Sequence, residues 1–317
     1  DPLYYKNPLS NTVVNGADHL GFMGLLWRKP DLSLDLPTSV QFATFRANQF
    51  AGDFDALAYI KTPPWYTYAT RKTGAFGLYA DGGQPKHGNF AAFTYLTTFR
   101  DLDGQDCATA LAAWKQSGPV YLSSLSPPRY PFPIHNELLP SGRALYDTHC
   151  ARCHGRYMTE IPSPDGLVYP GLVYPLEEIK TDPKRAHFPS FFAQRIREIL
   201  KEEYIITGGY AATPLTAIWA RAPYLHNGSV PTLAELLDPQ TRRAKYQLSA
   251  NPNDPTDFDQ VRVGWRVEPL TEGDAGQRSR CRYDPTVIPG LGNSGHAYGS
   301  TLSQNEKLAL LEFLKTL

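Results

Sequence analysis

Cys150-Ala-Arg-Cys153-His154 is the stretch on which the fold turns. Two thiols separated by two residues, with an imidazole directly after the second, have the spacing of covalent haem attachment. The thiols add to the two vinyl groups, and the adjacent histidine meets the iron from one side. Zinc is the rival reading, because Cys107 and Cys281 would complete a set of four cysteines. Those two form no second close Cys-x-x-Cys pair, however, and zinc gives no reason for His154 to follow directly. A thioredoxin-like redox pair is the third reading, but no βαβ pattern precedes the motif. With haem carried forward, Cys107 and Cys281 remain either a disulfide in an oxidising compartment or two free buried thiols.

Upstream of the motif, Ser141 can cap a short helix running through Arg143, Ala144, Leu145 and Tyr146 into Cys150. Before that, Ser126-Pro-Pro-Arg-Tyr-Pro-Phe-Pro133 reads as an extended linker, since adjacent prolines bias their neighbours away from helix. It separates a loop-rich, aromatic region at 1–135 from a second region at 136–317. Downstream, a helix is expected over Phe191 to Glu203. Thr232-Leu-Ala-Glu235 and Ser303-Gln-Asn-Glu306 match the capping-box pattern, which places helix starts at Leu233 and Gln304. The last helix carries Leu308, Leu311 and Leu314 as an apolar stripe. Val261, Val263, Trp265 and Val267 alternate like a strand, with Arg262 and Arg266 on the other face, so a small hairpin-like β insertion is expected there. The fold class is thus mainly α with low regular content: a cytochrome c-like helical domain around a covalent haem, with long irregular loops.

The composition agrees. The 317 residues include 28 prolines and 25 glycines, which suit long irregular connections. Basic and acidic residues balance at 31 each, so no charge excess points to a nucleic-acid partner. No apolar run approaches the ~18 to 20 residues of a membrane span. No repeat of fixed period is present. The chain begins at Asp1, as a mature exported protein or a piece of a longer one would.

The second axial ligand can be narrowed by elimination. The only methionines are Met23 and Met158; Met158 lies four residues beyond His154, and Met23 precedes the linker. Neither suits the opposite haem face. Besides His154 the histidines are His19, His87, His135, His149, His187, His226 and His296. His149 adjoins Cys150 on the proximal segment. His226, in Ala222-Pro-Tyr-Leu-His-Asn-Gly-Ser229, and His296, in Gly292-Asn-Ser-Gly-His-Ala-Tyr-Gly299, both lie in polar turns ahead of expected helices, and either loop could present an imidazole.

Three stretches carry a family resemblance: Cys150-Ala-Arg-Cys-His-Gly155, the run from Thr213 through Tyr224-Leu-His-Asn-Gly-Ser229 to Leu233, and Gly295-His-Ala-Tyr-Gly299 with the terminal helix after it. Together they cover most of 140–317. This half resembles the di-haem cytochrome c peroxidases, and most closely their rubber-oxygenase-like branch. The first motif is common to c-type cytochromes, while the other two are more specific. The resemblance implies a bis-histidine C-terminal haem with His154 proximal and His296 distal. It makes His226 a pocket residue, and Trp219, Arg221 and Tyr224 candidates for packing on the ring or binding a propionate. It also implies extracytoplasmic maturation, hence a periplasmic or extracellular location. Family members carry two haem motifs and react at the N-terminal one. This chain has one motif and a single cysteine in 1–135. Either that haem is lost here, or it lies upstream of Asp1.

The expected cofactor is therefore one covalent haem c, and no catalytic residue is assigned. An iron with two histidine ligands has no open position, so one-electron transfer leads, at a modest to negative potential because no thioether stabilises the reduced state. The alternative is a peroxidase or oxygenase, for which His226, Tyr224 or His187 would supply protons. A third reading is an electron-wiring subunit of a larger haem complex. Partners would be redox proteins, and further haem subunits in the third case.

Overall fold

The computed structural model describes residues 104–160, 164–186, 204–248, 257–270, 282–286 and 290–317. It also describes residues 64–71 and 84–85 and isolated positions at 6–7, 12–13, 29, 31, 33, 162, 197–198 and 201. Three longer helices supply most of the regular structure: α1 at Gly104–Ser124, α2 at Leu139–His149 and, near the chain's end, α6 at Gln304–Lys315. The strands are two or three residues each. The irregular, mainly α character expected from the prolines and glycines is what the described residues display.

α1 has no counterpart in the sequence reading, which expected a loop-rich region before 135. Its 21 residues run through Pro119, carried by alanines and leucines of high helix propensity. After it, residues 125–135 form no regular element. Tyr130 and Phe132 from this stretch nevertheless pack with Trp219 and Phe258, and Lys315 lies over the Tyr130 ring. The main-chain N–H of His135 donates to Glu312 at 2.9 Å.

α2 starts two residues before Ser141. Pro140 occupies the first turn, where its missing N–H costs nothing, and no side chain caps the helix; the Ser141 hydroxyl donates to the Leu138 carbonyl instead. α2 crosses α6 at Gly142, where a Cβ would lie 2.1 Å from the Ala309 carbonyl oxygen. The core grows from this crossing: Tyr146, Leu310, Phe313 and Leu314 are all buried. α6 begins with a complete capping box between Ser303 and Glu306. Its buried face runs through Lys307, Leu310, Leu311 and Leu314, whereas Leu308, expected in the stripe, is 41% exposed.

A one-turn helix α3, Ala151–His154, follows α2 directly. Two antiparallel ladders then succeed one another. β1 (Arg156–Tyr157) pairs with β2 (Leu167–Val168), and β3 (Val173–Pro175) pairs with β4 (Gly209–Ala211), with α4 (Leu176–Ile179) following β3. A 3-10 turn at Ile218–Arg221 leads to α5 (Leu233–Leu237), where Thr232 accepts from the Glu235 N–H as its cap. β5 (Tyr246–Leu248) is the centre of a three-stranded sheet whose edges are β8 (Val267–Glu268) and β9 (Arg282–Tyr283).

The expected hairpin is present, but its frame differs. β6 (Phe258–Asp259) pairs with β7 (Gly264–Trp265), so the residues between form the turn. Val261 at its tip is 73% exposed, and Arg262 pairs with Glu235 instead of lining an outer strand face. Cys281, His187 and most of the expected Phe191–Glu203 helix fall outside the described residues, as do His19, His87 and Met23, so the Cys107–Cys281 pairing has no structural account.

Candidate haem site

α2 delivers the attachment turn. The Tyr146 carbonyl in its last turn accepts from the Cys150 N–H at 2.8 Å, and the Cys150 carbonyl in turn accepts from both Cys153 and His154 at 3.1 and 3.0 Å. One helical turn therefore sets both sulfurs and the imidazole together. Gly155 ends it at φ 93°, where a Cβ would meet Leu167 and the Val168 carbonyl at 2.8 Å. Cys150 and Cys153 form no disulfide with each other. Burial, with Cys153 beside it, pushes the Cys150 thiol up to about 12. The motif follows a helix and not a strand, which removes the thioredoxin-like alternative. Among the described residues no three His, Cys, Asp or Glu side chains converge to hold a metal ion by themselves.

Opposite the turn, the loop 290–299 brings His296 to face His154. The two ring centres are 6.1 Å apart with planes at 56°. Two imidazole–metal bonds of about 2 Å, each with about 1 Å more to the ring centre, sum to about 6 Å. The pair is therefore spaced for one iron between them. His154 Nδ1 donates to the Thr213 carbonyl at 2.7 Å, which commits that nitrogen to the main chain and leaves Nε2 to ligate. His296 Nδ1 is buried without a hydrogen-bond partner. Burial holds both imidazoles neutral. The His296 pKa falls to about 3, with His154 and Arg242 adding to the effect; that of His154 is lowered by burial, with Thr213 opposing.

A cavity opens between them, walled by Cys150, Cys153, Ile218, Leu237 and Leu314 among others. Mostly apolar walls with three imidazoles, two thiols and an arginine suit a flat, hydrophobic macrocycle. Arg221 lines this cavity. Its Nη1 donates to Thr213 Oγ1 and the Pro214 carbonyl at 3.3 and 3.4 Å, while its buried Nε has no partner. An unmatched buried guanidinium N–H is a natural donor to a carboxylate. The residues present thus fit haem c.

The other expected site residues divide. Tyr224 lines the cavity, with its hydroxyl on the Val263 carbonyl at 3.2 Å. His226 lines it too, stacked on Tyr210 at 4.1 Å with Nε2 3.1 Å from that hydroxyl; it does not face His154 as His296 does. Trp219 is away from the cavity lining, buried among Tyr130 and Phe258. Met158 is 66% exposed. Sequence reasoning passed over Thr213, Tyr210 and Arg242. Nothing local marks a main-chain carbonyl as a histidine's partner, and Tyr210 and Arg242 carry no motif.

Residues 209–247 match the family described as RoxA-like, cytochrome c-like. Two relatives come from Sinorhizobium fredii (strain NBRC 101917 / NGR234). Uncharacterized protein y4iM is 30% identical over 185 residues, which are 48% of this chain and 39% of that protein. Uncharacterized protein y4iJ is 37% identical over 117 residues, 34% of this chain and 18% of that protein. The chain therefore matches well under half the length of either relative. The family match supports a c-type cytochrome region of the RoxA-like kind, with a haem c cofactor.

Proposed function

We propose that this chain transfers single electrons through a haem c held by Cys150 and Cys153, with His154 and His296 as axial ligands. The observation that carries the proposal is the pair of facing imidazoles 6.1 Å apart, beside two thiols presented on the same turn as His154. Bound there and held by His154 and His296, haem c would supply a one-electron couple. The chain's own residues do the rest. The two thiols fix the ring covalently, and Thr213 fixes the tautomer and orientation of His154. Ile218, Leu237 and Leu314 line the cavity and would keep water from the bound group. Arg221 would bind a propionate through its Nε, while Tyr224 and His226 shape the pocket wall. Two nitrogen ligands favour a modest to negative potential. Among the described residues no helix is long and apolar enough to cross a membrane. Covalent haem attachment fits an exported protein, and redox proteins are the partners that such an iron serves; a place as the wiring subunit of a larger haem complex would use the same chemistry.

A peroxidase or oxygenase activity is the second reading, favoured by one observation: His226 and Tyr210 form a hydrogen-bonded pair in the wall of the same cavity. Optical and electron paramagnetic resonance spectra of the oxidised holoprotein decide between them. A low-spin signal indifferent to peroxide, with carbon monoxide bound only slowly after reduction, is expected, and His296→Ala should turn it high-spin. A wild-type high-spin signal with rapid carbon monoxide binding would overturn electron transfer in favour of the enzyme.

A further inference from the structure

We infer that Arg242 is the positioning residue that fixes His296 opposite His154, an inference that rests on the axial-ligand reading above. A guanidinium has five N–H donors in a rigid fork. In Arg242 they serve five main-chain carbonyls. Nε donates to Glu235 at 3.1 Å and Nη2 to Leu236 at 2.9 Å, both on α5. Nη1 donates to Asn293 at 2.5 Å and to Gly295 at 2.8 Å, and Nη2 also reaches the carbonyl of His296 itself at 3.3 Å. The first two carbonyls belong to the last turn of a helix, which leaves them without intrahelical partners. One side chain thus ties the end of α5 to the loop that carries the ligand.

The loop needs such a tie. Gly295 and His296 both have positive φ, 75° and 47°. For a histidine that conformation is disfavoured and persists only when its surroundings impose it. Positive φ also turns consecutive carbonyls toward one side, where the fork meets them. The opposite side is held by the His296 N–H on the Ile179 carbonyl at 2.8 Å and by the close approach of Gly295 to Lys180 and Thr181. The imidazole is therefore gripped through its own backbone from two directions. A lysine at 242 would bring three donors on a point charge and could not span five carbonyls.

The adjacent Arg243 provides the control. Its guanidinium pairs with the buried Glu235 carboxylate at 2.6 Å and donates to no carbonyl of 293–296. The test compares Arg242→Gln, Arg242→Lys, Arg243→Gln and His296→Ala as full-length holoproteins, by spin state and by the rate of carbon monoxide binding after reduction. Arg242→Gln should bind carbon monoxide at least about tenfold faster than wild type, equivalent to about 1.4 kcal/mol of lost ligation. Arg242→Lys should fall between, and Arg243→Gln should stay near wild type whatever its melting temperature. Equal acceleration in Arg242→Gln and Arg243→Gln would reduce the effect to general destabilisation and overturn the inference, as would a wild-type rate in Arg242→Gln. Should Arg242→Gln fail to accumulate with haem, Arg242→Lys is judged in its place, and a wild-type rate there overturns the inference. A wild-type low-spin spectrum in His296→Ala would overturn the ligand reading itself. A high-spin His296→Ala beside an unaltered Arg242 variant overturns the positioning role alone.

Discussion

His154 and Thr213 are joined by a 2.7 Å hydrogen bond from imidazole Nδ1 to a main-chain carbonyl, and the same turn is gripped by Arg221 through Thr213 Oγ1 and the Pro214 carbonyl. The orientation of the proximal imidazole therefore depends on a buried arginine across the cavity wall.

Replacing Arg221 by Met should cost about 2–3 kcal/mol, because two acceptors lose a charged donor in a dry setting. With haem bound as proposed, removing a buried positive charge near its iron would also favour the oxidised state, so the midpoint potential should fall by on the order of tens of millivolts. Denaturant unfolding and a redox titration measure the two effects separately.

Gly142→Ala should be among the most damaging small substitutions. Its Cβ would lie 2.1 Å from the Ala309 carbonyl oxygen and 2.8 Å from Phe313 Cβ, so α2 and α6 must move apart as rigid elements. A loss of about 2–3 kcal/mol is expected from overpacking. A drop in melting temperature with an unchanged spectrum in the surviving folded fraction would match it.

Acid should destabilise the protein in part through His226. Burial, with Arg185 adding to it, lowers its pKa to about 3, against the ordinary value of 6.5. Its contribution is fully present above about pH 6.5. Below that, the unfolded chain takes up a proton that the folded one refuses until about pH 3, at roughly 1.4 kcal/mol per pH unit. His226→Gln should flatten the fall in melting temperature between pH 7 and 4.5; an unchanged slope would exclude His226 as a source.

Changing Cys150 and Cys153 together to Ser should leave any bound haem extractable into acidified organic solvent, whereas the wild-type colour should stay with the protein. Each single change should retain one thioether, visible as an altered haemochrome spectrum.

Local signals carried the elements they govern. The haem motif, the Thr232 cap and the Ser303 capping box were legible because each is a chemical pattern a few residues long. Ser141 misled because Pro140 can open a helix without a side-chain cap. The valines at 261 and 263 alternate in the chain but sit in a hairpin turn, where Val263 has φ 56°. Trp219 showed only an aromatic ring, and whether such a ring meets a cavity or the core is decided by partners such as Tyr130 and Phe258, far away in sequence. Between His226 and His296 the chain offered two similar polar loops. Their different settings, one on Tyr210 and the other facing His154, come from long-range closure against Ile179, Arg242 and Asp182. Arg242 itself stands in an ordinary basic pair with Arg243.

Because both sulfurs and His154 share one turn, haem fixed there would travel with that turn when the rest of the chain is unfolded. The sequence has eight histidines, and His135, His149 and His226 are all nearer to the attachment turn along the chain than His296 is. Short loops close more readily than long ones. With His296 as the native sixth ligand, an unfolded chain would first trap its iron on the wrong imidazole, and refolding would wait for that bond to release. Acid removes the competitors by protonating free imidazoles. Refolding jumps should therefore run faster at pH 5 than at pH 7, even though the folded state is less stable there.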